Sequence, residues 1–299
     1  MTKQSKLSNM LVMNRLPFEK RRQILHLLVE SAGVNATARL TGCSKMTVLR
    51  YLELAGQACM AHHDKAVRGV KANRVECDEI WAFNYCKKAN LATAKAAPEG
   101  AGDAWTWTAL DADSKLIVSY LIGNRDADCA FDFMSDVADR LANRVQLTTD
   151  GHTAYLSAVL GAFGIDVDYA QLIKHYGPSP DATGPERKYS PGECCGISKR
   201  RVLGKPRKAF VSTSYVEKHN QTMRQHMKRF ARLTNGHSKK IDNHVAMVAL
   251  YTCWYNFARI NSAVRMSPAM ACGLEQRLWE IGDIVKLIEE WEAQDEVVA

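Results

Sequence analysis

Apolar residues recur along this chain with two different periods. From Phe18 to Glu30 they fall at Ile24, Leu27 and Leu28, the spacing of one buried face of a helix. Asn35 can cap a short second helix to Leu40, Thr41-Gly42-Cys43 makes a turn, and Ser44 caps a third helix through Leu54. A helix of small residues, a glycine turn and a helix with polar residues at its start form the helix-turn-helix pattern. With Val48, Leu49 and Leu52 turned inward, Lys45, Met46, Thr47 and Arg50 are expected to face a DNA major groove. Residues 61–73 read as a linker. From Arg74 the period drops to two. Arg74 to Tyr85, Trp105 to Asp111 and Leu116 to Ile122 read as strands, followed by a helix from Ala127 to Leu141. A buried strand at Val145 to Thr149, a helix at Thr153 to Phe163 and a fifth strand at Val167 to Leu172 complete a mixed α/β pattern.

Periodicity then lapses between Tyr176 and Lys208, a basic insertion with five of the eight prolines and eight Lys/Arg. It returns at Ser214, a plausible N-cap, and no Pro or Gly interrupts the chain until Gly236. Val216, Met223, Met227 and Phe230 form the apolar stripe of this expected long helix. Glu217, Asn220, Gln221, Arg224 and Lys228 share a neighbouring face at helical spacing. Ser238 to Arg259 is apolar and aromatic enough to pack on the sheet. Ser267-Pro268 starts another helix, and Leu274 to Trp291 is amphipathic under an acidic surface. The expected organisation is therefore 1–60 helix-turn-helix, 61–73 linker, 74–262 mixed α/β domain with its insertion at 176–208, and 263–299 C-terminal amphipathic segment.

Charge sharpens this picture. The formal net charge is +8, but residues 1–72 alone carry +8, residues 176–240 carry +11 and residues 275–299 carry −6. Two basic blocks point to a polyanion held at two places. No apolar run approaches the ~18–20 residues of a membrane span, and no signal-peptide pattern opens the chain. Nine cysteines are scattered without a CxxC pair. These features predict a cytoplasmic protein with reduced thiols.

The candidate chemistry lies in three carboxylates. Asp78 interrupts the apolar strand around Ile80, Trp81 and Phe83, where an ionised group needs a partner. Asp150 follows a buried strand, at the carboxyl edge where α/β sites gather. Glu217 sits at the start of the helix after the insertion. Hard oxygen donors in this number suit Mg²⁺ or Mn²⁺, and two such ions can serve phosphoryl transfer. Glu76, on the same strand face as Asp78, is the main competitor, with Glu79, Asp111 and Asp113 also available.

The segments ECDEIWAF, TTDGHTAY and YVEKHNQTMRQHMKRFARLT resemble the bacterial insertion-sequence-one transposases, DDE enzymes on a ribonuclease-H-like fold. The resemblance spans roughly residues 74–260. It implies Asp78, Asp150 and Glu217 as the catalytic, metal-binding set with two ions. Arg224 falls where these enzymes often carry a basic residue, and Asn220, Arg224 and Lys228 are expected on DNA. It further implies an enzyme that binds terminal inverted repeats, cleaves 3′ ends and transfers them to target DNA as a dimer or larger assembly. A zinc-binding Cys motif usual in that family has no match here; a helix-turn-helix stands in its place. A structure-selective nuclease or resolvase, and a DNA-binding repressor with a decayed catalytic domain, are the alternatives.

Overall fold

The computed structural model describes residues 15–177, 194–231 and 234–298. Three helices open it: α1 (Phe18–Val29), α2 (Val34–Thr41) and α3 (Lys45–Ala66). Ser44 caps α3 as expected, its hydroxyl accepting from the Thr47 amide at 3.0 Å. Gly42 takes the left-handed conformation (φ 68°) that turns α2 into α3. The third helix does not stop at Leu54. It runs on to Ala66, through the first six residues expected to be linker, because Ala55, Ala58, Cys59 and His63 are buried along it. His63, polar in sequence, lies within 3.2 Å of the Val118 carbonyl.

The sheet has six strands: β1 (Arg74–Asn84), β2 (Gly102–Asp111), β3 (Ile117–Gly123), β4 (Gln146–Thr149), β5 (Asp168–Tyr176) and β6 (Cys194–Leu203). Their order is β3-β2-β1-β4-β5-β6. β1, β4 and β5 run parallel, while β2, β3 and β6 are antiparallel to their neighbours. Between β3 and β4 comes α4 (Ala127–Arg140), and between β4 and β5 comes α5 (Ala154–Phe163). This mixed sheet flanked by helices is a ribonuclease-H-like α/β fold. Five strands were legible from the apolar pattern; the sixth lies in the basic insertion. β6 is largely exposed and carries Lys199, Arg200 and Arg201, so its ladder to β5 holds it without any apolar signature. The rest of that insertion, residues 178–193, lies outside the described residues.

After the sheet come α6 (Ser214–His226), α7 (Ile241–Cys253), the short α8 (Pro268–Ala271) and α9 (Ile281–Val298). A π-helical turn, Trp254–Ala258, extends α7. Its buried Asn256 accepts from the Ile117 amide at 3.0 Å and donates to the Ile117 carbonyl at 2.9 Å, closing the edge of β3. Helices α3 and α7 cross with their backbones in contact: a Cβ on Gly56 would stand 2.5 Å from Ala246. One continuous core joins Leu52 of α3, Trp107 of β2, Phe133 of α4, Tyr251 of α7 and Ile288 of α9. The apolar stripe of α9 is therefore spent inside the chain.

Candidate active site

The parallel pairing of β1 with β4 sets the geometry. Cys77 lies opposite Thr149, so the next residues, Asp78 and Asp150, stand side by side where β4 ends. Asp150 Oδ1 accepts from the His152 amide at 2.9 Å, the local turn that Asp-Gly favours. Gln171 on β5 donates to the Asp150 carbonyl at 3.2 Å and holds this turn against the sheet. Glu217 comes from the first turn of α6. Asp78, Asp150 and Glu217 line one cleft of ≈ 610 Å³, together with Arg125, His152, Lys174 and Thr213.

Helix α6 is set in place by a residue that strand periodicity left ambiguous. Ser214 is its first residue and not its cap; Thr213 precedes it without a side-chain capping bond. The orphan amides of Tyr215 and Val216 donate instead to Glu76 Oε2, at 2.8 and 3.1 Å. Burial raises the Glu76 carboxyl while these two N–H groups hold it down. Glu76 thus ties the first turn of α6 to β1, two residues before Asp78.

Asn220, expected on DNA, is buried and donates to Asp78 Oδ2 at 2.9 Å. Arg224 follows on the same helix, half-buried, and does not line the cleft. The helix ends at His226, ten residues short of Gly236. Met227 is extended and buried, the Ser31 amide donates to the His226 carbonyl at 3.0 Å, and His226 Nδ1 meets the Val29 carbonyl at 3.1 Å. Contacts with the α1–α2 turn stop the helix where propensity would continue it. Lys228 is consequently not on the Glu217 face; it follows in a short 3₁₀ turn beside Gly33. At the start of α3, Lys45, Met46 and Arg50 are exposed, and Thr47 is half-buried with its hydroxyl 2.9 Å from Ser44.

The electrostatics are unbalanced. Burial and the neighbouring Asp150 push the Asp78 carboxyl up to about 7, and the same causes push Glu79 to about 7. Asp78, Glu79 and Asp150 offer carboxylate oxygens within 4.8 Å of one another, a group able to hold one metal ion. Glu79 reaches this group from the opposite face of β1; its side chain is 1% exposed and does not line the cleft. Two cations answer the four carboxylates. Arg125 lies 3.3 Å from Glu79 and 3.4 Å from Asp150, over the ring of Trp105. Lys174 lies 2.5 Å from Glu217, which also accepts from the Thr213 hydroxyl. The all-oxygen donor set and the surplus negative charge fit a hard divalent cation.

Arg125 and Lys174 escaped the sequence reading, and Glu79 was only one of several available carboxylates in it. For Lys174 a signal existed: it shares the strand face of Leu172, and β5 ends at the same sheet edge as β4. Arg125 lies in the turn before α4, where no period places a side chain.

No protein-family model matches the chain, and no curated protein matches it. Among solved structures it is similar to a Mos1 transposase paired-end complex with the left transposon end (15% identity, TM-score 0.22). That match covers 52% of this chain and 59% of the other, so the chain spans well under two thirds of its length. A pre-cleavage Mos1 transpososome matches at 13% identity and TM-score 0.24, covering 80% of this chain and 79% of the other. These superpositions are shallow, and the ribonuclease-H-like assignment rests on the strand order itself.

Proposed function

We propose that this chain is a DNA transposase of the insertion-sequence type, cleaving and rejoining phosphodiesters with divalent cations held by Asp78, Asp150 and Glu217. The observation that carries this reading is the meeting of the three carboxylates on one cleft, from two adjacent strand positions and a helix start. Asp78, Asp150 and Glu217 would together hold two Mg²⁺ or Mn²⁺ ions. Bound there, such ions supply Lewis-acid activation of the attacking oxygen and stabilise the leaving one.

The chain's own residues do the positioning. Asn220 holds one oxygen of Asp78, which leaves the other for the cleft. Glu76 is committed to α6, and Glu79 to Arg125, so neither competes with Glu217 for the cleft. Arg125 and Lys174 provide positive charge for the phosphates flanking the scissile bond. Arg224 would take a further phosphate along α6. Residues 1–60 would read the element's inverted repeats through Lys45, Met46, Thr47 and Arg50, and 74–262 would carry the chemistry. Two ends must be joined to target duplex, so the working form would be a homodimer or larger assembly on DNA.

The test is Asp150→Asn in an assay of 3′-end cleavage on DNA carrying the element's own ends. Mg²⁺-dependent cleavage should fall at least about a hundredfold, as for loss of one preorganised charge-stabilising group. Specific end binding in a gel shift should stay within about twofold. Cleavage at the wild-type rate would remove Asp150 from the site.

A further inference from the structure

A second concavity lies away from the cleft, between the N-terminal helices and the segment that follows α6. It encloses ≈ 370 Å³ and is lined by Lys45, Lys228, Arg229 and Lys239, with Asn35 and Asn243 among its polar groups. Among the described residues no Asp or Glu lines it, and none of the four cations is ion-paired. Its walls include the first turns of three helices: Val34 and Asn35 open α2, Lys45 opens α3 and Asn243 lies in the first turn of α7. Helix N-termini add positive potential and free N–H groups to the cationic side chains.

The site is built, not incidental. Arg229 donates to the Ser238 hydroxyl at 2.6 Å, and burial draws its guanidinium down to about 10. A guanidinium desolvated without a carboxylate is costly to hold, and a bound anion would offset that cost. A Cβ on Gly236 would stand 2.8 Å from Lys228 Cγ and 2.9 Å from the Lys228 carbonyl, so the glycine lets the two strands of chain close around the lysine stem. Lys239 Nζ lies 2.7 Å from His237 Nε2, the nitrogen that also lies 3.1 Å from the Tyr85 carbonyl, and burial followed by Lys239 itself lowers the pKa of that ring.

We propose that this pocket binds a backbone phosphate of duplex DNA, clamping the duplex across the seam between the helix-turn-helix and the helix that carries Glu217. The exposed start of α3, with Met46 and Arg50, adjoins the pocket through Lys45, so DNA lying along α3 passes over it. The inference rests on the DNA-binding part of the proposed function and adds a site to it.

The experiment measures the dissociation constant of a fluorescent 30-base-pair duplex by anisotropy over a salt series. It compares wild type, Lys228→Gln/Lys239→Gln, Arg229→Lys, and a control, Lys71→Gln/Lys286→Gln, that removes the same charge elsewhere. Losing that phosphate contact should reduce the slope of log K against log salt by about 0.9 and weaken binding at least tenfold for every sequence tried. Arg229→Lys should weaken binding while leaving the slope near wild type, because the charge stays and the fork is lost. The control should match wild type, and thermal midpoints should be unchanged. Wild-type slope and affinity in the double variant would overturn the pocket and leave DNA binding standing, as would an equal loss in the control. Failure of wild type to bind any duplex would overturn both.

Discussion

Asp78 is the carboxylate whose surroundings most oppose its charge, and this has a measurable sign. An unfolded Asp titrates near 3.9, whereas Asp78 in the fold titrates at about 7, through burial first and Asp150 second. The shift is upward, so its contribution to stability is complete below pH ~4 and is lost as pH rises towards about 7. With chelator present, wild type should lose stability relative to Asp78→Asn across that window and no further above it. Adding Mg²⁺ at pH 8 should restore the difference. Parallel pH–melting curves for the two proteins would mean Asp78 is not under this strain. Asp78 drew notice in sequence because an ionised residue inside an apolar strand is unusual. An Asp-Gly turn and a Glu in a first helical turn are common, so Asp150 and Glu217 stood out mainly through the resemblance. Their supporting groups were not legible. Glu76 and Asp78 share a strand face, and period two cannot say which meets a helix amide and which meets a cleft.

At the level of elements, most starts were readable and several ends were not. Ser44 and Ser267 cap the helices they were expected to cap, through local bonds to Thr47 and Met270. The start of α6 was misread because its cap comes from β1, 138 residues before Ser214, and its end because the α1–α2 turn takes over at His226. The cap gives a prediction that separates structure from chemistry. Glu76→Ala should destabilise by about 1–3 kcal/mol, since it leaves two helix amides unanswered. In a chain of this size that is a fall of several degrees in melting temperature. Glu76→Gln keeps an acceptor and should retain most of both stability and DNA cleavage. Loss of cleavage in Glu76→Gln with an unmoved melting temperature would put Glu76 among the metal ligands.

For the whole molecule, the ribonuclease-H-like order was readable because alternating apolar runs mark strands that are buried on one face or both. The union of the N-terminal helices with the sheet was not, since residues 61–73 read as a linker while the helix runs on to Ala66 and packs on α7. Gly56 permits that crossing. Gly56→Ala gains helix propensity of ~1 kcal/mol yet must push against Ala246, so a net loss of about 1–2 kcal/mol is expected in denaturant melts. An equally or more stable variant would show that the crossing yields easily. Removing residues 1–60 would cut through α3 and strip the shared core, so point changes at Lys45 and Arg50 are the sounder probes of end recognition. The central claim is that the cleft works through Asp78, Asp150 and Glu217, while the tight acidic group contains Glu79 in place of Glu217. The direct measurement is Mg²⁺-dependent 3′-end cleavage by Glu217→Gln and Glu79→Gln, side by side, on DNA bearing the element's ends. Loss of at least about a hundredfold in Glu217→Gln, with Glu79→Gln within tenfold of wild type, is the expected result. The reverse order would contradict it.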